Sequence, residues 1–262
     1  VVLVQVEQAW CCLNPQQAQG YHNELVRYLR ENGCAVPIID CNLLWVKSDV
    51  SVACWSGRTL ASDLRQLRIV QPEAPRIAIE YQTGRLDHWG SAHEKEEAAR
   101  HLYRLGAILA VGGQPNQHMF HGGTNFGFYG GRTVGSQFSY ATTSCDWDAP
   151  LAEGGGRTLK YLASKRICNF ASQFANVFAN LKPDSQPAVI APDESDHSLS
   201  VVHQHGLQGD VIFLLKSQKD KTSSTTIMLP NGQNLEVHFD NDRVAWLLFD
   251  ANLASGVTLS YT

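Results

Sequence analysis

Apolar positions in this chain follow two textures that alternate up to about residue 182 and then give way to one. The short runs VVLVQV (1–6), AVPIID (35–40), SVACW (51–55), RIAIEY (76–81) and HMFHGG (118–123) read as strands with little polar interruption. Between them lie helical stretches. One starts at Asn14-Pro15 and runs through GYHNELVRYLREN to Gly33, another is LASDLRQLRIV (60–70), and longer ones extend from about Ala92 to Ala110 and from about Arg157 to Leu181. Strand, helix, strand with mostly apolar strands is the pattern of a parallel sheet covered by helices, here about five βα units.

Around Lys182-Pro183 to Pro192 the texture changes to Pro, Asp and Ser, and the remainder of the chain favours short strands: LSVVHQH, DVIFLLK, TTIMLP, LEVHF, VAWLLF and VTLSYT. PNG at 230–232 marks a tight turn between two of them. The expected organisation is a βα domain over 1–182, a linker at about 182–197, and a small all-β, sandwich-like domain within 183–262.

Composition narrows the function classes. With 262 residues and 44% hydrophobic content the chain can bury a large core. A net charge of −4 and 21 thinly spread Lys+Arg leave no basic stripe, so nucleic acid is not expected as a partner. No apolar run approaches the ~20 residues of a membrane span and no charged leader precedes one, so neither a transmembrane helix nor a signal peptide is expected within the chain. The seven cysteines are odd in number and include no CxxC, which argues against a zinc cage and a dense disulfide framework; they read as buried thiols, with one disulfide in the set left open.

Function in a parallel βα array sits at the carboxyl ends of its strands. In the runs assigned to strands, Glu7, Asp40, Glu80 and His121-Gly122-Gly123 occupy those ends. Carboxylates on different strand ends can build a glycosidase, one protonating the leaving oxygen and one attacking the anomeric carbon; helix caps and ion pairs explain the same spacing. His118 and His121 fall on opposite strand faces, and His203 and His205 share a face that reads as solvated, so no metal site is expected. HGGTNFG (121–127) lacks the GK[ST] and GxGxxG of phosphate loops and reads as tight backbone, Asp87 and His88 as residues that tie down a loop, and EKEE (94–97) as a solvated helix face.

Three stretches in order, IEYQTGRLDHWG (79–90), MFHGGTNFGFYGG (119–131) and TSCDWDAPLAEGG (143–155), resemble glycoside hydrolase family 35, the β-galactosidases. The resemblance implies a (β/α)8 TIM barrel followed by β domains, a retaining mechanism, no cofactor, a β-galactoside as the carbohydrate partner, and an extracytoplasmic location. Carried over residue by residue, it makes Glu80 the nucleophile. The opening VQVEQA (4–9) resembles the family's V-Q-V-E-N-E, so Glu7 matches the first glutamate, Gln8 stands at the sugar-contacting asparagine, and Ala9 occupies the acid/base position. Trp147 stands where the family's S-Y-D-Y-D places a tyrosine beside galactose, and Arg85 replaces a tryptophan. Glu7, Gln8 and Trp147 are therefore the expected substrate-binding residues.

Five strands would be the fourth to eighth of such a barrel, so the expectation is the C-terminal part of a larger barrel protein, or a decayed relative. Two function classes remain: a β-galactosidase-like hydrolase impaired at Ala9, or a galactoside-binding pseudoenzyme.

Overall fold

The computed structural model describes residues 2–8, 14–41, 52–53, 55–57, 60–134, 138–182, 199–217, 223–229, 232–254 and 256–261. In chain order the first elements are β1 (Val4–Gln8), α1 (Pro15–Glu31), β2 (Ile38–Cys41), β3 (Val52–Ala53), β4 (Trp55–Gly57), α2 (Leu60–Val70), β5 (Arg76–Gln82), α3 (Ala98–Ala110) and β6 (Gly113–His118). Then come β7 (Arg132–Val134), β8 (Phe138–Tyr140), α4 (Leu159–Gln173), α5 (Ala175–Asn180) and β9 (Leu181–Lys182). The last are β10 (Leu199–Gly206), β11 (Asp210–Lys216), β12 (Ser224–Met228), β13 (Asn234–His238), β14 (Val244–Ala254) and β15 (Val257–Tyr261). Contacts divide the chain into two units, Val1–Gln82 with Gly113–His118, and Thr83–Gly112 with Met119–Thr262.

The first unit is a run of parallel strands. β1, β2 and β3 form one sheet and β4, β5 and β6 another, with the two pieces of the 52–57 segment each pairing to a different neighbour. What reads in sequence as the single strand SVACW is thus shared between two ladders. Helix α1 begins as its residues dictate: the Asn14 side chain accepts from the amides of Gln16 and Gln17 at 3.1 and 3.2 Å, and Pro15 occupies the first turn, where no amide is needed. Ala18, His22 and Val26, spaced by four, form its buried stripe. In α2 the corresponding residues are Leu64 and Leu67.

The fifth strand lies at Gly113–His118, not over HMFHGG. Its sequence, GQPNQH, has neither apolar alternation nor β-branched residues, and it is held by backbone pairing to β5. HMFHGG leaves the strand at His118 and turns through Gly123 at φ +67°. EKEE precedes α3 instead of lying on it, since the helix starts at Ala98.

In the second unit β15, β14, β11, β10 and β9 form an antiparallel sheet in that order, and β12 and β13 form a separate hairpin. The central β11 is covered on both faces, which is why VIFLL is apolar throughout. Ile212 and Leu214, with Leu247 of β14, pack against Ile227, Val237 and Phe239 on the hairpin side. On the other face α3 packs against β10, β11 and β14. The Gln204 side-chain amide donates to the carbonyls of Leu109 and Ala110 at 2.9 and 2.5 Å, satisfying the C-terminal end of α3. Helices α3 and α4 meet through a buried hydrogen bond between His101 Nε2 and Ser164 Oγ, 2.8 Å.

The reading of His203 and His205 as a solvated pair is half corrected. His205 is exposed, but His203 is buried, and both face Asp210, at 2.5 and 2.8 Å respectively. Their neighbour on the strand, Gln204, has to reach α3, which pulls this part of β10 into the interior. Cys41 is disulfide-bonded, whereas Cys34, Cys145 and Cys168 are not. The linker residues 183–198 lie outside the described residues.

A glycine permits the approach of α3 to the sheet. A β-carbon at Gly106 would lie 2.7 Å from Val244 Cγ2, a stiff branched side chain. Gly106→Ala should therefore destabilise the protein by about 1–3 kcal/mol, less up to about 1 kcal/mol returned by helix propensity. Combining it with Val244→Ala should cost less than the sum of the two single changes in urea unfolding, and strict additivity would place the helix elsewhere.

Candidate active site

The two strands that carry the motif glutamates share an irregularity that periodicity could not reveal. In β5 three steps from Ala78 to Tyr81 are matched by two on β6, Pro115 to Gln117, and Ile79 is skipped in the ladder to β4. In β1 three steps from Gln5 to Gln8 are matched by two on β2, Ile39 to Cys41. Each strand thus contains one extra residue, a bulge that re-aims the side chains around Glu80 and Glu7. A side-chain amide serves each: Asn116 Nδ2 donates to the Ile79 carbonyl and Gln5 Nε2 to the Glu7 carbonyl, both at 2.7 Å. Counting faces by twos through β1 therefore fails just where Glu7 sits.

Glu80 is largely buried, with 14% of its side chain exposed, and its Oε1 lies 3.9 Å from His118 Nε2 at the end of β6. Glu7 is tied to α1, where the Tyr21 hydroxyl donates to its Oε1 at 2.5 Å; that bond pushes the Tyr21 phenol above its ordinary range. Asp40, the other strand-end carboxylate, is buried 3.5 Å from His22 Nδ1 of α1. Gln8 ends β1 with its backbone paired to Cys41. Ala9 lies outside the described residues.

In the second unit the three motif loops are stitched together through their backbones. The amide of Trp89 donates to Tyr140 O, Thr142 to Asp87 O, Asn125 to Thr143 O and Cys145 to Gly123 O, all at 2.8 to 3.1 Å. Asp87 Oδ2 lies 2.5 Å from His93 Nδ1, and His88 Nε2 bonds Thr133 Oγ1 at 3.1 Å. Gly84 and Gly122 are obligatory here: a β-carbon would lie 1.6 Å from Trp147 O at the first and 1.8 Å from Cys145 O at the second. Trp147 and Asp148 both have left-handed backbone, φ +56° and +48°, which non-glycine residues adopt only when their surroundings enforce it. The Asp146 carboxylate accepts from the amides of Asp148 and Glu153, both at 2.9 Å. Hydrogen bonds from Thr124, then Ser144, hold the Glu153 carboxyl below its usual range, so their stabilisation is complete above the unfolded-state pKa and fades as pH falls through the lower folded value. Arg85, at the family's tryptophan position, pairs with Glu94 at 3.2 Å.

Several of these residues escape motif reading. Asn116 sits in a strand that does not look like one, and Tyr21 is only one polar helix residue among many. Lys160, whose Nζ pairs with Asp148 Oδ2 at 2.5 Å, had a signal: with Ser164 and Ile167 it falls at i, i+4, i+7 on the buried stripe of α4, a place where a lysine needs a partner. Among the described residues no group of three His, Cys, Asp or Glu side chains is disposed to hold a metal ion.

Comparison with known proteins agrees with the motifs. The sequence profile of glycosyl hydrolases family 35 matches residues 1–171. The mouse "Beta-galactosidase-1-like protein" is 38% identical over 121 residues, 46% of this chain and 18% of that protein. The human "Beta-galactosidase" is 38% identical over 135 residues, 50% of this chain and 19% of that protein. The chain thus spans less than a fifth of the length of these relatives. Among solved structures, a GH30 endoxylanase from Clostridium papyrosolvens aligns over 96% of this chain and 63% of its own at 10% identity and a TM-score of 0.40.

The bulge in β5 can be tested apart from chemistry. Asn116→Leu should cost about 0.5–1.5 kcal/mol in urea unfolding, the net value of one hydrogen bond. Asn116→Asp, nearly the same shape, should cost at least as much because it turns lone pairs toward the Ile79 carbonyl. A neutral Asp variant would mean that this carbonyl is satisfied by another group.

Proposed function

This chain belongs to glycosyl hydrolases family 35, and on that premise we propose that it carries the nucleophile side of a β-galactosidase-like retaining site for terminal β-galactosides. The observation that carries the reading is Glu80: a motif glutamate near the carboxyl end of a parallel strand, on a bulge, largely buried and faced by a histidine. Its carboxylate would attack the anomeric carbon as the bond to the leaving oxygen breaks, giving a covalent galactosyl ester. His118 would help orient the carboxylate. Trp147 offers an indole face for stacking on the sugar, without the hydrogen bond a tyrosine would donate. Gln8, one methylene longer than asparagine, would shift the placement of the substrate.

The second half of the mechanism is where this chain departs from its family. A retaining site needs a second carboxyl ~5–5.5 Å from the nucleophile, first as acid and then as base. Ala9 offers a methyl group. Loss of a general acid forfeits about 10²–10⁴ in rate, so hydrolysis of unactivated galactosides would be weak. Glu7 is a poor replacement, since Tyr21 already engages its carboxylate at 2.5 Å. Ala9 also favours a second reading, a galactoside-binding protein without turnover. Residues 1–182 would then be the part of the barrel that binds sugar and 183–262 an accessory β domain. The disulfide at Cys41 fits an oxidising, extracytoplasmic setting.

Assayed on a barrel completed to eight strands, an activated nitrophenyl β-galactoside should release a burst of about one nitrophenol per site and then turn over slowly, because the aryl group leaves without an acid but water lacks a base. Azide should accelerate the slow phase, Ala9→Glu should recover lactose-type hydrolysis, and Glu80→Gln should abolish the burst. Galactose binding with neither burst nor azide acceleration would exclude the hydrolase and leave the binding protein.

Glu7→Gln should leave residual hydrolysis of an unactivated galactoside unchanged within a few-fold. A loss of about a hundred-fold, the scale of a missing general acid, would make Glu7 the acid.

A further inference from the structure

The buried ammonium of Lys160 lies where three segments of the second unit converge. Its Nζ is 2.5 Å from Asp148 Oδ2 and donates to the Thr83 carbonyl at 2.9 Å, with only 3% of the side chain exposed. The same Asp148 oxygen accepts the Glu96 amide at 2.7 Å, just before α3. One carboxylate oxygen and one ammonium thus join the residue following β5, the entry to α3 and the 144–148 loop. Next to Thr83, Gly84 has its backbone against the Trp147 carbonyl, so the loop cannot slide toward it. Trp147 and Asp148 hold left-handed conformations that a free loop would relax. A lysine is suited to this place because a buried carboxylate is costly unless paired, and its removal leaves that charge without its counter-ion.

Resting on the reading of Trp147 as a sugar platform, we propose that Lys160 is a positioning residue: through Asp148 and Thr83 it clamps the left-handed Trp147-Asp148 backbone and so sets the indole orientation against a bound galactoside. It touches neither sugar nor reacting atoms. Its influence is transmitted through one loop.

Cys145 supplies a reporter that needs no ligand. Its thiol is partly buried, and that burial pushes it above the ordinary thiol range. Release of the loop should expose this thiol. Thiol labelling of the full chain, resolved by peptide mass spectrometry to separate Cys145 from Cys34 and Cys168, should be at least ten-fold faster in Lys160→Met than in the unaltered chain. Lys165→Met, which removes an exposed lysine from the same helix, should label at the unaltered rate. The double variant Lys160→Met with Asp148→Asn removes both charges of the pair, guarding against a single variant that does not fold. It should keep its far-ultraviolet circular dichroism and still label at least ten-fold faster.

Galactose affinity, measured by titration calorimetry with the same substitutions placed in the barrel completed to eight strands, should fall at least ten-fold in the folded double variant and stay unchanged in Lys165→Met. Labelling at the unaltered rate in a folded double variant overturns the clamp. Faster labelling with undiminished galactose affinity overturns the positioning role. A completed eight-strand barrel without these substitutions that binds no galactose defeats the sugar-platform reading, and with it the positioning role, while labelling still decides whether the clamp exists.

Discussion

The carbonyl of Ile79 has to find a donor although its strand carries one residue too many. In a regular ladder each backbone group meets its neighbour, and an extra residue breaks that correspondence. Here both partners of β5 register the insertion, β4 by skipping Ile79 and β6 by falling one step behind between Ala78 and Tyr81. Asn116 reaches across from β6 to satisfy the carbonyl. Glu80 is the next residue along, so its direction depends on this local break and on the amide that stabilises it. The same device recurs in β1, where Gln5 serves the carbonyl of Glu7. Two strands that carry motif glutamates thus use the same backbone solution, each at the cost of ladder regularity.

The second unit solves a different problem. Its sheet is covered by the β12–β13 hairpin on one face and by α3 on the other, so the central strand has no solvent-facing side and no polar residue between Asp210 and Lys216. Burial on both faces demands that polar groups reaching the interior be paired. Gln204 meets the terminal carbonyls of α3, His101 meets Ser164, and Lys160 meets Asp148. These pairs specify which helix face meets which strand, something that apolar contact alone would leave degenerate.

The motif loops owe their shape to contacts among their own residues. Gly84 and Gly122 are needed for the carbonyls of Trp147 and Cys145 to approach, and the acidic residues 146 and 148 spend their oxygens on the amides and the ammonium that hold the loop. The loop architecture is therefore set by these close backbone approaches, amides and the one ammonium.

By itself the sequence determined the parallel βα texture, the helix start at Asn14-Pro15, the all-β tail and the family motifs, because each is written in local periodicity, capping chemistry or residue identity. It also revealed the alanine at position 9, since residue identity needs no coordinates to be read. Only the tertiary structure placed the fifth strand at Gly113–His118, where backbone pairing to β5 overrides a polar sequence, and moved apolar HMFHGG into a turn. Only it disclosed the extra residue beside Glu80, because a bulge is a mismatch between two strands and cannot be counted on one. The engagement of Glu7 by Tyr21 and of Asp148 by Lys160 came from the same source. Residues 14 and 12 positions apart meet only after strand, loop and helix have packed, and no periodicity encodes that meeting.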